Sequence, residues 1–245
     1  MSVLIVIPAR YASTRYPGKP LVALTGATGQ KQSLIERSWR AASAVSGVDR
    51  VVVATDDDRI ATSVAEFGGE ALMTPVDCAN GTVRCHAAVQ LLEERGHEFD
   101  AVINVQGDEP FVHPEQLVQL VTMLKNPDAA VVTLAKSMPA GSEMESPHRV
   151  KVVRNMKGRA MMFSRNPIPH GEGPWLQHVG LYGFTRTALE ALVQLSPTPL
   201  EQREKLEQLR WLDHGWRIDV GTTTHLTPSV DTPDDLVAIE AMLSQ

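Results

Sequence analysis

The chain has 245 residues, of which 43% are hydrophobic, so it is long enough for one or two domains with a sizeable core. Its net charge of −6 argues against non-specific binding to nucleic acid or to anionic membranes, because such binding usually needs a basic surface. Cys78 and Cys85 are the only cysteines and form no CxxC motif, which argues against a disulfide scaffold and a zinc ribbon. Neither a membrane-spanning apolar run nor a signal peptide is evident, so we expect a cytoplasmic protein.

Buried strands alternate with helices in the first half of the chain. Uninterrupted apolar runs, mostly β-branched, predict strands at 3–7, 51–54, 101–105 and 129–134. Helical patterns lie between or after these runs, at 33–45, 58–67, 82–95 and 114–125. The alternation predicts an α/β fold with a doubly wound, mostly parallel sheet of Rossmann-like type.

The pattern changes after about residue 146. Shorter and more polar strands are predicted at 150–153, 160–164 and 178–184, which favours a small β-rich insertion over another βαβ unit. Two later helices are predicted at about 199–214 and 232–243, each opened by a Thr-Pro pair. We expect one domain over 1–245, with a β-rich lobe at about 146–195.

The loop after the first strand carries three cationic residues. Arg10, Arg15 and Lys19 stand within ten residues, interleaved with Ser, Thr and Gly. On an acidic protein, such a cluster at a strand end suggests a cradle for phosphates, although a solvated loop is the simpler alternative. The loop contains neither GxxxxGK[ST] nor GxGxxG, so a P-loop and a nicotinamide dinucleotide site are not supported.

Residues 7–21, IPARYASTRYPGKPL, resemble the N-terminal signature of sugar nucleotidyltransferases. The likeness continues to residue 236 and is specific to the 3-deoxy-manno-octulosonate cytidylyltransferase (CMP-Kdo synthetase) family. It is carried in order by NVQGDEP at 104–110, FSR at 163–165, HVGLY at 178–182, PLEQ at 199–202, LEQLR at 206–210 and VDTPDDL at 230–236. The resemblance implies a nucleotidyltransferase-type sheet whose β-rich insertion serves sugar binding and dimerisation.

The resemblance also implies the reaction. CMP is transferred from CTP to the anomeric 2-hydroxyl of 3-deoxy-manno-octulosonate, or of a close variant such as the 8-amino sugar, and pyrophosphate leaves. The product serves lipopolysaccharide synthesis. Arg10, Lys19 and Asp108 are implied to be catalytic, with the two cations neutralising the triphosphate and the departing pyrophosphate.

Two acidic residues are candidate magnesium ligands. Asp108 follows the predicted strand 101–105, and Asp231 precedes the predicted terminal helix. Carboxylates suit Mg²⁺, which is often held by one or two of them together with substrate phosphates. The residues alone equally allow a turn acid at Asp108 and a capping residue at Asp231, whereas the resemblance implies that both bind the metal.

The resemblance assigns two further sets of residues. The nucleotide is expected to contact Pro8, Ala9, Arg10, Lys19, Met73, Asn80, Gly81, Thr82 and Gln106. The sugar is expected to contact Arg15, Arg165, His178, Tyr182, Glu207 and Gln208. From the residues alone, Arg165 and His178 could be ordinary strand-surface polars, and Glu207 and Gln208 a solvated helix face.

The chain departs from the family's usual base-reading loop at four positions, Pro75, Cys78, Asn80 and Val83. These positions bear on the choice of base. Separately, two other functions stay open, a cytidylyltransferase for another acidic sugar such as a nonulosonate, and a catalytically silent nucleotide-binding relative. The joint presence of Arg10, Lys19, Asp108 and Asp231 argues against the silent relative. The expected partners are CTP, an acidic ulosonate and a second copy of the chain, with neither nucleic acid nor membrane insertion.

Overall fold

The structure is a computed structural model, and it describes a defined set of residues. These are 1–12, 16–25, 29–107, 109–139, 141–171, 173–225, 228, 230, 235–236 and 239–240. Arg15, Asp108 and Asp231, which the sequence analysis singled out, therefore lie outside the described residues. The chain divides into two units, the first formed by 1–118 with 227–245 and the second by 119–226.

The strands are spread over both units. In chain order they are β1 Val3–Ala9, β2 Ala23–Thr25, β3 Lys31–Ser33, β4 Arg50–Thr55, β5 Ala71–Met73, β6 Ala101–Asn104, β7 Val131–Met138, β8 Lys151–Arg154, β9 Ala160–Ser164, β10 Trp175–Thr185 and β11 Ile218–Thr222.

The helices separate many of these strands. In chain order they are α1 Leu34–Ser43, α2 Asp58–Glu66, α3 Gly81–Glu93, α4 Pro114–Leu124, α5 Ser142–Glu145, α6 Arg186–Leu192, α7 Pro199–Glu204 and α8 Gln208–Asp213; a 3₁₀ turn covers Lys19–Leu21. Among the described residues, no helix is both long and apolar enough to cross a membrane.

The first unit contains a parallel sheet in the order β6-β1-β4-β5. All seven residues of β1 are buried, because its two neighbouring strands cover its edges and helices cover the sheet. Val6 of β1 pairs with Val52 of β4 on one side and with Asn104 of β6 on the other. The carboxyl ends of β1 and β6 therefore lie side by side, which is where open α/β sheets bind ligands.

The second unit contains a mixed sheet. Strand β7 pairs with β10 in antiparallel orientation and with β11 in parallel orientation. Strand β8 pairs with β9 and β10, both antiparallel. The mostly parallel α/β fold predicted from the sequence is confirmed, as are the strands and helices predicted in the first half of the chain.

One predicted helix is wrong in its extent. The segment predicted as a single helix over about 199–214 forms α7 and α8. Its start is as expected, with the reciprocal capping box between Thr198 and Glu201. The break falls at Lys205, which adopts a left-handed conformation with φ 54° and ends α7. Such a conformation in a non-glycine residue requires tertiary support, which periodicity does not reveal.

The sequence analysis did not predict the β2–β3 hairpin, the short β5, or β11 and helix α6 of the second unit. Of the predicted helix at 232–243, only 235–236 and 239–240 are described, and both pairs are helical. The lobe predicted at about 146–195 falls within the second unit, and its description as part of a single domain stays a prediction.

Candidate functional site

A cavity of about 260 Å³ lies at the carboxyl edge of the parallel sheet, within the first unit. Its walls come from the end of β1, the 3₁₀ turn, the start of α3 and the segment after β6. The lining residues are Pro8, Ala9, Arg10, Lys19, Pro20, Cys78, Ala79, Asn80, Gly81, Arg84, Gln106 and Gly107. Segments far apart in sequence meet here because parallel strands end at the same edge of the sheet.

The loop that carries Lys19 is anchored by a stack of side chains. The guanidinium carbon of Arg59 lies 3.3 Å from the centroid of the Tyr11 ring. Gly18 packs on this ring, so that a Cβ at residue 18 would lie 3.0 Å from it, and its φ of +71° favours glycine. The Gly18 amide donates to the Tyr11 carbonyl at 2.9 Å, and the 3₁₀ turn begins at the next residue. Lys19 is thereby held against the cavity with only 7% of its surface exposed.

Helix α3 presents its N-terminus to the cavity. Asn80 is the N-cap, and its side chain accepts a hydrogen bond from the Val83 amide at 2.9 Å. Gly81 follows, and a Cβ there would lie 3.1 Å from the side-chain nitrogen of Gln106. A glycine at this position therefore lets α3 approach Gln106 closely. The helix also contributes the partial positive charge of its N-terminal amides, which favours anions.

Arg84 ties α3 to the ends of two strands. Its side chain is 4% exposed and forms an ion pair with Asp56 at 3.1 Å. It also donates to the hydroxyl of Thr74 at 2.7 Å, and Thr74 in turn donates to the Thr55 carbonyl at 3.1 Å. One guanidinium thus joins α3 to the residues after β4 and β5. The sequence analysis did not select Arg84, although its position three residues after Gly81 places both on one face of the helix.

We expect Arg84→Met to lower the free energy of unfolding by about 3 kcal/mol, because it leaves the largely buried Asp56 without its counter-charge. Urea unfolding measures this loss. Arg186→Met is the matched control, since its partner Glu190 is 62% exposed and such surface pairs contribute roughly 0–1 kcal/mol. Equal losses for the two variants would show that Arg84 does not tie these elements together.

The described lining of the cavity is cationic. Arg10 is exposed and Lys19 is buried, whereas the charge of Arg84 is compensated by Asp56. Cys78 is the only thiol among the lining residues, and burial raises the pKa of this thiol. At neutral pH Cys78 is therefore a neutral thiol, which disfavours covalent catalysis by it. The cavity is suited to binding an anion.

The structure brings together seven of the nine residues predicted to contact a nucleotide. Pro8, Ala9, Arg10, Lys19, Asn80, Gly81 and Gln106 all line the cavity. Met73 and Thr82 do not line it, Met73 being 47% exposed and Thr82 2% exposed. Pro20, Cys78, Ala79, Arg84 and Gly107 line it without having been selected from the sequence. Gly107 directly precedes Asp108 in the sequence.

Arg165, in the second unit, is held by backbone groups. Its three guanidinium nitrogens donate to the carbonyls of Glu204, Pro147 and Lys205, at 2.9, 3.0 and 3.4 Å. The buried Lys151 donates to the carbonyl of Arg165 and to two others, and burial lowers the pKa of this lysine. Arg165 is therefore a rigidly placed cation rather than an ordinary strand-surface residue.

His178 and Tyr182 lie in an aromatic cluster of the second unit. The His178 ring is 5.1 Å from Phe163 and 5.3 Å from Tyr182, measured between centroids. Tyr182 is 7% exposed and packs edge-on against Trp211 at 5.1 Å. His178 is half-buried in this cluster and its Nε2 lies 3.0 Å from the Thr133 hydroxyl, so it is not an ordinary strand-surface polar residue. Desolvation of the ring lowers its pKa to about 3.

The burial of His178 predicts a pH-dependent stability. The unfolded chain binds a proton near the ordinary pKa of 6.5, whereas the folded ring binds one only near 3. Between these values the unfolded state holds more protons, so the free energy of unfolding falls as pH falls, by up to roughly 1.4 kcal/mol per pH unit. We expect His178→Gln to show a shallower fall over this range in urea unfolding. If the free energy of unfolding fell equally with pH in wild type and His178→Gln, the expectation would be contradicted.

Glu207 and Gln208 lie at the start of α8 in the second unit. Gln208 is 6% exposed, so the interpretation as a solvated helix face is wrong for this residue. Glu207 is half-buried. Together, four of the six residues predicted to contact a sugar, Arg165, His178, Tyr182 and Gln208, are fixed by packing or hydrogen bonds in this unit.

A cationic cavity at the carboxyl edge of a parallel sheet, bordered by a helix N-terminus, defines a class of nucleotide-binding α/β proteins. A family profile described as Cytidylyltransferase matches residues 4–218, and the chain belongs to that family.

Individual relatives show to which group within this family the chain is most similar. The chain is 47% identical to a 3-deoxy-manno-octulosonate cytidylyltransferase of Maricaulis maris, over 100% of this chain and 98% of the relative. It is 44% identical to one of Myxococcus xanthus, over 97% and 95% of the two chains. A solved CMP:2-keto-3-deoxy-manno-octonic acid synthetase complexed with CTP superposes with a TM-score of 0.90 at 38% identity, covering 100% of this chain and 99% of that chain. Within the cytidylyltransferases, the chain thus groups with the 3-deoxy-manno-octulosonate enzymes.

Proposed function

We propose that this protein transfers CMP from CTP to the anomeric 2-hydroxyl of 3-deoxy-manno-octulosonate and releases pyrophosphate. The observation that carries the proposal is the cationic cavity of the first unit, where Arg10 and Lys19 lie with the N-terminus of α3 in one pocket. A triphosphate is the substrate group that such a cavity fits, and the chain belongs to a family of enzymes that use CTP.

Charge neutralisation is the first task of these residues, because both substrates are anionic. Lys19 acts from a largely desolvated position, where a charge interacts more strongly than it would in water. Arg10, at the exposed rim, draws the triphosphate in and offers a planar fork of donors to its phosphates. Both cations stabilise the negative charge that grows on the departing pyrophosphate.

Positioning of the nucleotide is the second task. The close packing of Gly81 on Gln106 and Pro8 leaves a narrow wall against which a flat base or a ribose can lie. The amides at the start of α3 supply donors, and the Gln106 side chain supplies both a donor and an acceptor. We propose that this wall, rather than the substituted positions Pro75 and Val83, orients the nucleoside for in-line attack.

The second unit supplies the residues that we assign to the sugar. Arg165 uses three of its five N–H groups on described carbonyls, which leaves two for the planar carboxylate of an ulosonate. His178 and Gln208 add polar side chains in this unit, and Tyr182 packs against the His178 ring, a combination that suits a sugar ring with several hydroxyls.

We propose that the reaction depends on magnesium held by Asp108 and Asp231. Phe111 packs on the core cluster that contains Val230, and these residues stand three and one positions from the two acids in the sequence. This packing, together with the oxygen chemistry of the two carboxylates, fits a shared site for a hard cation. When bound, the ion would supply Lewis-acid neutralisation of phosphate charge.

We also propose a cytoplasmic homodimer that serves lipopolysaccharide synthesis. Support for the dimer comes from Met156 and Met161, which lie on or beside the β8–β9 hairpin and are among the most exposed large apolar side chains described. Light scattering is expected to give twice the chain mass of 26.8 kDa. A monomeric mass at micromolar concentration would contradict the dimer.

A panel of nucleotides and acceptors tests the proposed reaction. CTP and UTP are each combined with 3-deoxy-manno-octulosonate, its 8-amino variant and a nonulosonate, with Mg²⁺ present, and products are followed by ³¹P NMR. We expect a CMP-sugar and pyrophosphate from CTP with the octulosonate. Turnover of the nonulosonate alone would indicate the other cytidylyltransferase. Binding of CTP by calorimetry without any product would indicate the silent relative.

A further inference from the structure

Thr133 lies at an irregularity between two strands of the second unit. Strands β7 and β10 pair regularly up to Leu134 opposite Val179, and pairing resumes with Thr133 opposite Tyr182. Gly180 and Leu181 therefore have no counterpart on β7 in the regular register. The fully buried Thr133 hydroxyl fills this irregularity, with its oxygen 2.7 Å from the Leu181 carbonyl and 3.3 Å from the Val179 carbonyl.

The same hydroxyl lies 3.0 Å from Nε2 of His178. It has one proton to donate, and the two carbonyls can only accept. If that proton pointed to Nε2, the hydroxyl oxygen would face the Leu181 carbonyl at 2.7 Å with no hydrogen between them. The hydroxyl therefore donates to a carbonyl and accepts a hydrogen bond from Nε2–H of His178.

A proton on Nε2 of His178 determines whether Nδ1, the other ring nitrogen, donates or accepts a hydrogen bond. Burial keeps the ring neutral at physiological pH, since its pKa is lowered to about 3. A neutral imidazole with its proton on Nε2 has an unprotonated Nδ1, which is an acceptor only. Among the described residues, none hydrogen-bonds to Nδ1. Phe163 and Tyr182 fix the plane of the ring, so the acceptor has a set direction.

We propose that Thr133 is a positioning residue that holds His178 as the Nε2–H tautomer and thereby makes Nδ1 an acceptor for a hydroxyl of the sugar. The proposal rests on the proposed function for the identity of the ligand. It adds a basis for selectivity, because an acceptor at this point favours a hydroxyl or an amine over a group that cannot donate. Thr133 acts through His178 and does not itself touch the substrate.

Two variants separate the hydroxyl from the shape of residue 133. Thr133→Val keeps the volume but removes the hydroxyl, and Thr133→Ser keeps the hydroxyl. We expect long-range ¹H–¹⁵N NMR of the free wild-type protein to show an unprotonated Nδ1 at His178, assigned by its loss in His178→Gln. Thr133→Ser is expected to retain this signature, and Thr133→Val to lose it.

Kinetics test the consequence for the substrate. We expect Thr133→Val to raise KM for the sugar about tenfold, the value of one hydrogen bond, with a smaller change in kcat and no change in KM for CTP. Thr133→Ser is expected to restore the wild-type KM.

The outcomes distinguish this proposal from the proposed function. A wild-type His178 protonated on Nδ1 overturns the role of Thr133, whatever the enzyme's substrate. Equal sugar KM values for Thr133→Val and wild type overturn the link from tautomer to sugar. If Thr133→Val fails to fold, the wild-type and Thr133→Ser spectra still decide the tautomer. If no ulosonate reacts, the proposed function and the sugar contact both fail, while the tautomer is still decided by NMR without substrate.

Discussion

Turnover is expected to fall about a thousandfold in Asp108→Asn, the largest effect that we predict for a single substitution. The change removes one negative charge with little change in volume, so at the proposed magnesium site an anionic oxygen ligand would be replaced by a weaker neutral one. Gly107, the preceding residue, lines the cationic cavity. The loss is therefore expected in kcat, with the thermal midpoint of the folded protein nearly unchanged.

The measurement is a steady-state assay with Mg²⁺ varied at saturating CTP. Asp128→Asn is the matched control, because Asp128 is an exposed residue that undergoes the same change in charge, and its activity should equal that of wild type. Activity of Asp108→Asn within a factor of about ten of wild type, with unchanged dependence on Mg²⁺, would rule out Asp108 as a metal ligand. A matching loss in Asp231→Asn would support the shared site.

Replacement of Lys19 by Met is expected to lower kcat/KM for CTP by about a hundredfold to a thousandfold. Lys19 is 7% exposed and lines the cavity, so its ammonium acts where water screens little. Met has a similar length and keeps the apolar part of the side chain. The loss of activity therefore measures the effect of removing the positive charge. Because the leaving pyrophosphate becomes more negative during the reaction, we expect kcat to fall as well as KM to rise.

Lys125→Met provides the control, since Lys125 is exposed after α4 and loses the same charge. Calorimetry with CTP separates ground-state binding from catalysis. If Lys19→Met weakens CTP binding and leaves kcat intact, the role of Lys19 is binding alone. A change of less than about threefold in both quantities would exclude Lys19 from the site.

The parts of the fold that could be predicted are those with local causes. The run at 3–7 is apolar on every residue and mostly β-branched, which is typical of a strand buried on both faces. The start of α7 was predicted from Thr198, Pro199 and Glu201, because a capping box is closed within four residues. The split of the following segment at Lys205 was missed, because nothing in a lysine side chain signals a left-handed conformation.

The residues of the candidate site likewise fall into those with a local sequence signal and those that depend on distant segments. The loop residues Arg10 and Lys19 could be selected from their charge and spacing, and the remaining nucleotide and sugar residues only from the family motifs. Arg84 was missed because it reads as an ordinary helix residue, and its importance comes from Asp56 and Thr74, which belong to other segments. Thr133 was missed for the same reason, since it meets a histidine 45 residues away.

By itself, the sequence determined the α/β class, because apolar runs and helix caps are properties of short segments. Its ordered motifs carried the resemblance to the 3-deoxy-manno-octulosonate cytidylyltransferases. Only the tertiary structure decided that the ends of β1 and β6 and the start of α3 enclose one cationic cavity, and that the Thr133 hydroxyl lies beside Nε2 of His178. The cavity and the placement of His178 both depend on strand register. Register results from the packing of the whole sheet rather than from any one segment.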